Sequence, residues 1–263
     1  MECFSLLRSD VPALIDHLRD FGEVIAPHGK GDVSYSFEVV RDSSDVVLDY
    51  NRTLLPLKKM FLPPVEKLMG FSLKNESFEQ VEVAIAPRVF FGVHSYEMQS
   101  ILRLDHSMLS GSAESNYFKR RQSSRFLGIS FEPDEFHFSE SVGIVIEEME
   151  GFDLFLNEVD GDFQLYVLTD NGQEMLNGFD KINLTEPEVV EGRHFKKKIR
   201  YHYNRLPRVF QYAYHSDVWA DVASQCVGCG ACNLTCPTCF CFDVQDEVTV
   251  TAEDGMRQRN WDS

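Results

Sequence analysis

Positive charge is scarce in this 263-residue chain: 25 Lys and Arg face 42 Asp and Glu, giving a net charge of −17. That balance argues against nucleic acid as a partner, because phosphate contacts draw on Lys and Arg. Long apolar runs are missing too. No stretch approaches the roughly 18 apolar residues that cross a bilayer. Residues 1–20 carry Glu2, Asp10, Asp16 and Asp20 in place of an apolar core, so they do not read as a signal peptide. Glycine runs of the G-x-x-x-x-G-K-[ST] or G-x-G-x-x-G kind are absent, which removes the usual warrant for nucleotide binding. No serine sits in a G-x-S-x-G elbow, and Ser110-Gly111-Ser112 reads as a loop, so hydrolase chemistry has no support. Internal repeats and low-complexity segments are also lacking. Cysteine is nearly absent as well, with Cys3 alone outside residues 226–241.

Within those sixteen residues lie the other six cysteines: Cys226, Cys229, Cys232, Cys236, Cys239 and Cys241. The spacing C-x2-C-x2-C-x3-C-P is that of the bacterial ferredoxin run, whose thiolates hold a [4Fe–4S] cluster. Cysteines two residues apart let a tight loop aim three sulfurs at three corners of one cube. Gly228 and Gly230 flank Cys229 and permit the backbone dihedrals of such a wrap. Pro237 disfavours helix at Cys236 and sets the turn by which the chain leaves the loop. Zinc sites usually show two separated pairs of ligands, whereas these thiols are contiguous. A disulfide framework suits a short secreted chain, which this is not. Cys226, Cys229 and Cys232 are therefore expected to ligate one cluster. Cys236 stands fourth in the run, with Cys239, Cys241 or a cysteine outside these residues as alternatives, since a fourth cysteine often ligates a second cluster. Val227, Leu234 and Phe240 are expected to exclude water from it.

The length suggests two domains, and charge suggests where they part. Residues 1–190 hold 16 Lys and Arg against 33 Asp and Glu, while residues 191–263 hold nine of each. The expected fold class is α+β: a mixed α/β docking domain over 1–190, then a helical ferredoxin-like 4Fe–4S domain over 191–263. Periodicity predicts helices over 9–20 and 96–109. Strands are predicted over 23–26, 33–40, 46–48, 81–86, 89–93 and 126–131, with hairpins through 142–148, 153–158 and 163–168. Three prolines make residues 53–71 a packed connector. A linker over 186–191 leads to a helical stretch over 193–224, interrupted at Pro207, and a short strand is expected over 248–250. The basic run from Arg193 to Arg208 reads as a solvated helix face, or as a dock for the acidic domain or a partner. Tyr201, His202, Tyr203, Tyr212, Tyr214 and His215 are expected to pack that helix against the cluster domain. Arg120 and Arg121 read as internal ion-pair residues.

With these pieces in place the chain resembles a family of iron–sulfur electron-transfer subunits, that of the sulfhydrogenase beta subunits and their counterpart in anaerobic sulfite reductase. The most specific match is Cys226–Asp243 followed by Arg257-Gln-Arg259-Asn-Trp261-Asp-Ser263. Leu55-Pro-Leu-Lys-Lys59, Phe61-Leu-Pro-Pro-Val-Glu66, Phe91-Gly-Val93, Asn116-Tyr-Phe-Lys-Arg-Arg121 and Asp153-Leu-Phe-Leu156 add to it. The resemblance implies a cytoplasmic electron relay of anaerobic metabolism. Its implied partners are a flavin subunit using a nicotinamide cofactor, NAD(P)H-linked, together with a hydrogenase or sulfite reductase catalytic subunit.

Two departures stand out. Where the family commonly has Arg-Pro-Cys-Asp and, further on, a Phe-Cys element, this chain has His94-Ser-Tyr-Glu97 and Glu132-Pro-Asp-Glu-Phe-His-Phe138. No thiol remains there, so no cluster is assigned to that place; His94, Asp134, Glu135 and His137 read as polar surface, with a harder metal as the alternative. The family also continues past Trp-Asp-Ser into a second cysteine run, so the chain reads as C-terminally truncated, and a second cluster would need that segment. The reading is thus a non-catalytic 4Fe–4S electron-transfer subunit. Its rivals are a zinc-stabilised interaction module and an enzyme with catalysis in the N-terminal domain.

Overall fold

The computed structural model describes residues 2–81, 83–188, 190 and 193–262. In chain order the first six strands are β1 (Glu2–Leu6), β2 (Glu23–Gly29), β3 (Tyr35–Val39), β4 (Val65–Ser72), β5 (Ser77–Gln80) and β6 (Arg88–Val93). The others are β7 (Ser124–Ile129), β8 (Leu154–Val159), β9 (Asp162–Val167), β10 (Asn183–Leu184), β11 (Phe242–Val248) and β12 (Asp254–Trp261). Helices are α1 (Val11–Leu18), α2 (Lys58–Phe61), α3 (Ser95–Leu109), α4 (Ser115–Gln122), α5 (Asp170–Leu176), α6 (Leu206–Ala213), α7 (Val218–Ser224) and α8 (Ala231–Thr235). The α+β content expected from the sequence is present. Among the described residues no helix is long and apolar enough to cross a membrane.

Two compact units are each assembled from three segments. The first takes Met1–Leu54, Arg88–Gln99 and Arg125–Gly230; the second takes Leu55–Pro87, Ser100–Ser124 and Ala231–Ser263. Neither coincides with residues 1–190 or 191–263.

The first unit is built on an eight-stranded sheet of order β10-β1-β9-β8-β7-β6-β2-β3. Its pairing is mixed: β2 runs parallel to β6 and β7 to β8, while β8–β9, β9–β1 and β2–β3 are antiparallel. Asp160-Gly161, both at positive φ, turn β8 into β9, as the Asp-Gly pair predicts. Val11, Leu14, Ile15 and Leu18 of α1 recur at helical spacing and join Val24, Phe91, Leu127, Leu156 and Leu165 of the strands in one core. Several sequence expectations fail here for local reasons. Residues 142–148 form no strand: Val142 closes a 3-10 turn and Gly143 leaves it at a left-handed φ of 86°. Val46 forms only an isolated bridge to His28. The helix expected over 193–224 is confined to α6 and α7, and Pro207 opens α6 in its first turn instead of interrupting a longer helix. Of the expected linker, residues 189 and 191 lie outside the described residues.

The second unit carries a four-stranded sheet of order β11-β12-β4-β5, antiparallel throughout. The strand expected over 248–250 is instead the end of a hairpin, β11 pairing β12 from Phe242 opposite Trp261 to Val248 opposite Gly255. Strand is absent from residues 81 and 83–86, and residue 82 lies outside the described residues. The last part of the expected connector is also strand: β4 begins at Val65, directly after Pro63 and Pro64, where a missing N–H costs no ladder bond. Glu66 on β4 is buried, and its carboxylate accepts from Arg120 of α4, from Arg259 of β12 and from Asn116 Nδ2 at 3.1 Å. Arg121 pairs with Asp105 at 2.9 Å. Both arginines of α4 are thus internal ion-pair residues.

Candidate metal centre

Helix α7 ends where the cysteine run begins, with the Cys226 N–H donating to Ala223 O at 3.0 Å. Gly228 and Gly230 take φ of 69° and 70°, the left-handed region in which a side chain is strained. The turn at Gly228 aims its N–H at Cys226 Sγ, 3.4 Å away, and open space surrounds the position a Cβ would occupy. The division between the two units falls after Gly230, inside the run. Beyond it α8 carries Cys232, and Cys236 follows before Pro237. The Cys239 N–H returns to Cys236 O at 3.3 Å, and Cys241 leads into β11. All seven cysteines are free thiols. Cys226, Cys229, Cys232 and Cys241 are exposed, while Cys236 and Cys239 are half-buried.

One lysine lies beneath the second half of this run. Lys58 of α2 is 2% exposed, and its ammonium donates to Asn233 O at 2.9 Å and to Cys239 O at 3.1 Å. The same ammonium stands 4.4 Å above the Trp261 ring. Trp261 is fixed in turn, donating from Nε1 to Leu62 O at 3.1 Å and from its N–H to Pro64 O at 2.9 Å. Partial burial pushes the Cys236 thiol up. The Thr238 hydroxyl, the N–H groups of Thr238 and Cys239 and the Lys58 charge together outweigh it, leaving Cys236 below its ordinary value. Cys241 is raised by its hydrogen bond with Cys239. Desolvation lowers Lys58 itself, against the neighbouring Cys239, Cys236 and Cys241.

Among the described residues no three His, Cys, Asp or Glu side chains are gathered closely enough to hold a metal ion. A site of this kind rarely exists preformed without its metal. The chemistry of the donor set fits an iron–sulfur cluster nonetheless. It offers six uncrosslinked thiols, left-handed glycines where the wrap needs them, an N–H directed at a sulfur and a fixed cation alongside. Of the expected water-excluding residues, Val227 is 88% exposed and Phe240 is exposed too, while Leu234 is half-buried.

The other places singled out in the sequence resolve differently. His94 is fully buried, stacked on Tyr50 with centroids 4.0 Å apart and on Phe131 at 4.6 Å. It is core, not the polar surface expected. Its Nδ1 meets Tyr96 Oη at 3.1 Å, the Tyr96 hydroxyl donates to Asn51 O at 2.8 Å, and His94 Nε2 is without a hydrogen-bond partner among the described residues. Burial holds His94 well below the ordinary imidazole value, and His137 adds to that. His137 packs on Tyr96 and Phe131 and bonds Asn51 O at 3.2 Å. Burial raises Asp134, but Arg52, the Phe136 N–H and His137 bring it below the usual carboxylate range. Arg193, expected on a solvated helix face, lies in no helix, and its side chain is only 8% exposed. It contacts Glu132 at 3.0 Å, Glu147 at 3.1 Å and Asn157 at 2.7 Å. The aromatics expected to pack on the cluster domain face solvent: Tyr201, Tyr203, Tyr212 and Tyr214 are all exposed.

The 4Fe-4S dicluster domain family matches residues 225–263. Sulfhydrogenase 2 subunit beta of Pyrococcus furiosus is 33% identical over 262 residues, which cover 96% of this chain and 76% of that protein. This chain belongs to the sulfhydrogenase beta subunit family. No solved structure matches it.

Within this beta-subunit family the matched domain accounts for the cysteine run and for the C-terminal Arg-Gln-Arg-Asn-Trp segment together. The structure shows why the second belongs with the first. Arg259 ties β12 to Glu66, and Trp261 floors the ammonium that holds the loop. The beta-subunit segments Leu55–Lys59 and Phe61–Glu66, separate in sequence from the cysteines, supply the other half of those contacts. Sequence reasoning misses Lys58 as a site residue. Its signals there are a proline-flanked pair of lysines inside an apolar stretch and the family likeness of Leu55–Lys59, neither of which points to the cysteines.

Proposed function

We propose that this sulfhydrogenase beta subunit family member is the iron–sulfur electron-relay subunit of an oxidoreductase complex. In this reading Cys226, Cys229, Cys232 and Cys236 ligate a [4Fe–4S] cluster, and Cys239 and Cys241 are alternative fourth ligands. The observation that carries it is the 4Fe-4S dicluster match over residues 225–263, on a run with ferredoxin spacing. Such a cluster accepts and gives up one electron at a time. This chain's residues supply the thiolates, the Gly228 N–H toward Cys226 and the backbone turn at Pro237 that orients Cys236. Residues 191–263 act as the ferredoxin-like portion, and the acidic residues 1–190 as a docking platform. The partners are a catalytic subunit of hydrogenase or sulfite reductase type, where catalysis resides, and a flavin-containing NAD(P)H-linked subunit. A reducing cytoplasm suits six uncrosslinked thiols. Support for a role within a complex comes from the exposed Phe210 and Tyr212 of α6, Tyr214 at its C-terminal end and Trp219 of α7.

The test is iron and acid-labile sulfide per chain after anaerobic purification, with an EPR spectrum of the reduced protein. The expected result is about four of each and the signal of one reduced [4Fe–4S] cluster. Cys229→Ser is expected to abolish both. Zinc without iron, or a Cys229→Ser protein with full iron, would overturn the reading.

A further inference from the structure

We propose that Lys58 is a built-in counter-charge that raises the reduction potential of the cluster held by the Cys226–Cys241 loop. The inference rests on the cluster reading above and extends it to a residue outside the cysteine run. Lysine is almost never fully buried unless paired, yet Lys58 is 2% exposed. Its two hydrogen-bond acceptors here are neutral carbonyls, Asn233 O at 2.9 Å and Cys239 O at 3.1 Å, and the Trp261 face lies 4.4 Å below. Among the described residues no carboxylate forms an ion pair with it; the buried Glu66 of β4 is taken by Arg120 and Arg259. A buried cation so placed is unbalanced in the protein alone, and the anionic group nearest to hand is the thiolate set.

The acceptors also bracket the loop. Asn233 follows Cys232 and Cys239 follows Cys236, so the ammonium is pinned under the segment that presents Cys236. Iron–sulfur potentials depend on net charge, hydrogen bonds to sulfur and solvent exposure. A core with four thiolates is anionic and gains one more negative charge when it takes an electron. A fixed cation beside it therefore stabilises the reduced form more than the oxidised form. Because Lys58 is out of water, bulk salt does not screen it as it would a surface lysine. The geometry makes Lys58 a tuning residue, not a ligand.

The experiment compares wild type with Lys58→Met, Lys58→Gln, Lys58→Arg and the exposed-charge control Lys74→Met. Iron and sulfide are measured first, then the midpoint potential by EPR-monitored titration at low and high salt. Loss of the charge in Lys58→Met or Lys58→Gln is expected to make reduction about tenfold less favourable, a shift of about −59 mV for one electron. That shift should persist at high salt, with Lys58→Arg and Lys74→Met close to wild type. If Met and Gln variants lose iron while Arg retains it, the requirement is for the charge, which also supports the proposal. A Met or Gln variant with full iron and an unchanged potential overturns it. So does loss of iron from all three Lys58 variants, which would make the residue one of shape alone. A wild-type protein without iron overturns the underlying cluster reading instead.

Discussion

At the scale of single residues, chemistry and visibility part company. The six clustered cysteines announce themselves because their close spacing along the chain is itself the ferredoxin pattern. Lys58 does not, since its partners lie 175 and 181 residues further on and only the folded second unit brings them to it. His94 is a similar case: in sequence it is a polar residue near a tyrosine, in the structure a ring sandwiched between Tyr50 and Phe131. Its environment carries a prediction with a definite sign. The folded imidazole is held well below its ordinary value, so below about pH 6.5 the unfolded chain takes up a proton that the folded chain refuses. Stability should then fall on acidification by about 1.4 kcal/mol per pH unit from this group, until the native ring is protonated. Asp134 acts in a separate window. Its lowered value contributes stability that is lost only as pH drops below about 4. Urea midpoints under anaerobic conditions at pH 7.5 and 5.5 should therefore converge when His94→Gln is compared with wild type. An identical acid loss in both proteins would remove His94 from the account.

At the scale of elements, alternation and turn chemistry made β2, β6, β7 and the β8–β9 hairpin legible, because each buries an apolar face in one core. What escaped were elements set by distant partners. Strand β4 sits in a proline-rich stretch, and β11 shows every residue exposed, so neither has a buried face for a pattern to report. They are strands because β12 pairs with both. The polar centre of that sheet is Glu66, bracketed by Arg120 and Arg259 and capped by Asn116. Glu66→Gln would leave two buried guanidiniums with too little negative charge, a change expected to cost about 3–5 kcal/mol. Pairing it with Arg259→Met should recover part of that loss, since one uncompensated cation is removed. Anaerobic denaturant titrations of wild type, single and double variants would show it. A single variant within about 0.5 kcal/mol of wild type would mean the network is not closed as described.

A tighter steric rule governs α5, whose Gly172 lies so close to β8 that an added Cβ would stand against the backbone oxygen of Asp153. No side chain yields there, because the obstacle is backbone. Gly172→Ala is expected to force α5 off the sheet at a cost of about 1–3 kcal/mol or more, while the same change in open space at Gly161 acts mainly through its positive φ. A thermal melt that ranks Gly172→Ala as the milder of the two would contradict this packing.

At the scale of the whole molecule, the −17 charge and the exposed aromatics are complementary pieces of one design. The basic run that reads in sequence as a solvated helix face or a dock is partly consumed inside the first unit, where Arg193 pairs with Glu132 and Glu147. Helices α6 and α7 are left with an apolar face: Phe210, Tyr212, Tyr214, Val218, Trp219 and Val222 are all exposed, Tyr214 by 77%. A helix pair just ahead of the cysteine run is where a relay subunit gains most from contact with a partner, because electron transfer favours a short path and a dry surround for the thiols. Val227, 88% exposed within this chain, lies on the same approach to the cysteines. Replacing Tyr214 and Trp219 together with Ser should therefore leave iron content and the EPR signal intact while weakening assembly with the co-expressed partner subunits, by the roughly 2 kcal/mol or more that aromatic anchors contribute to an interface. The readout is the fraction of iron-loaded chain that co-elutes with its partners on anaerobic size exclusion. Undiminished co-elution would move the docking face elsewhere, to the acidic surface of residues 1–190, and high salt rather than aromatic loss would then be what separates the subunits.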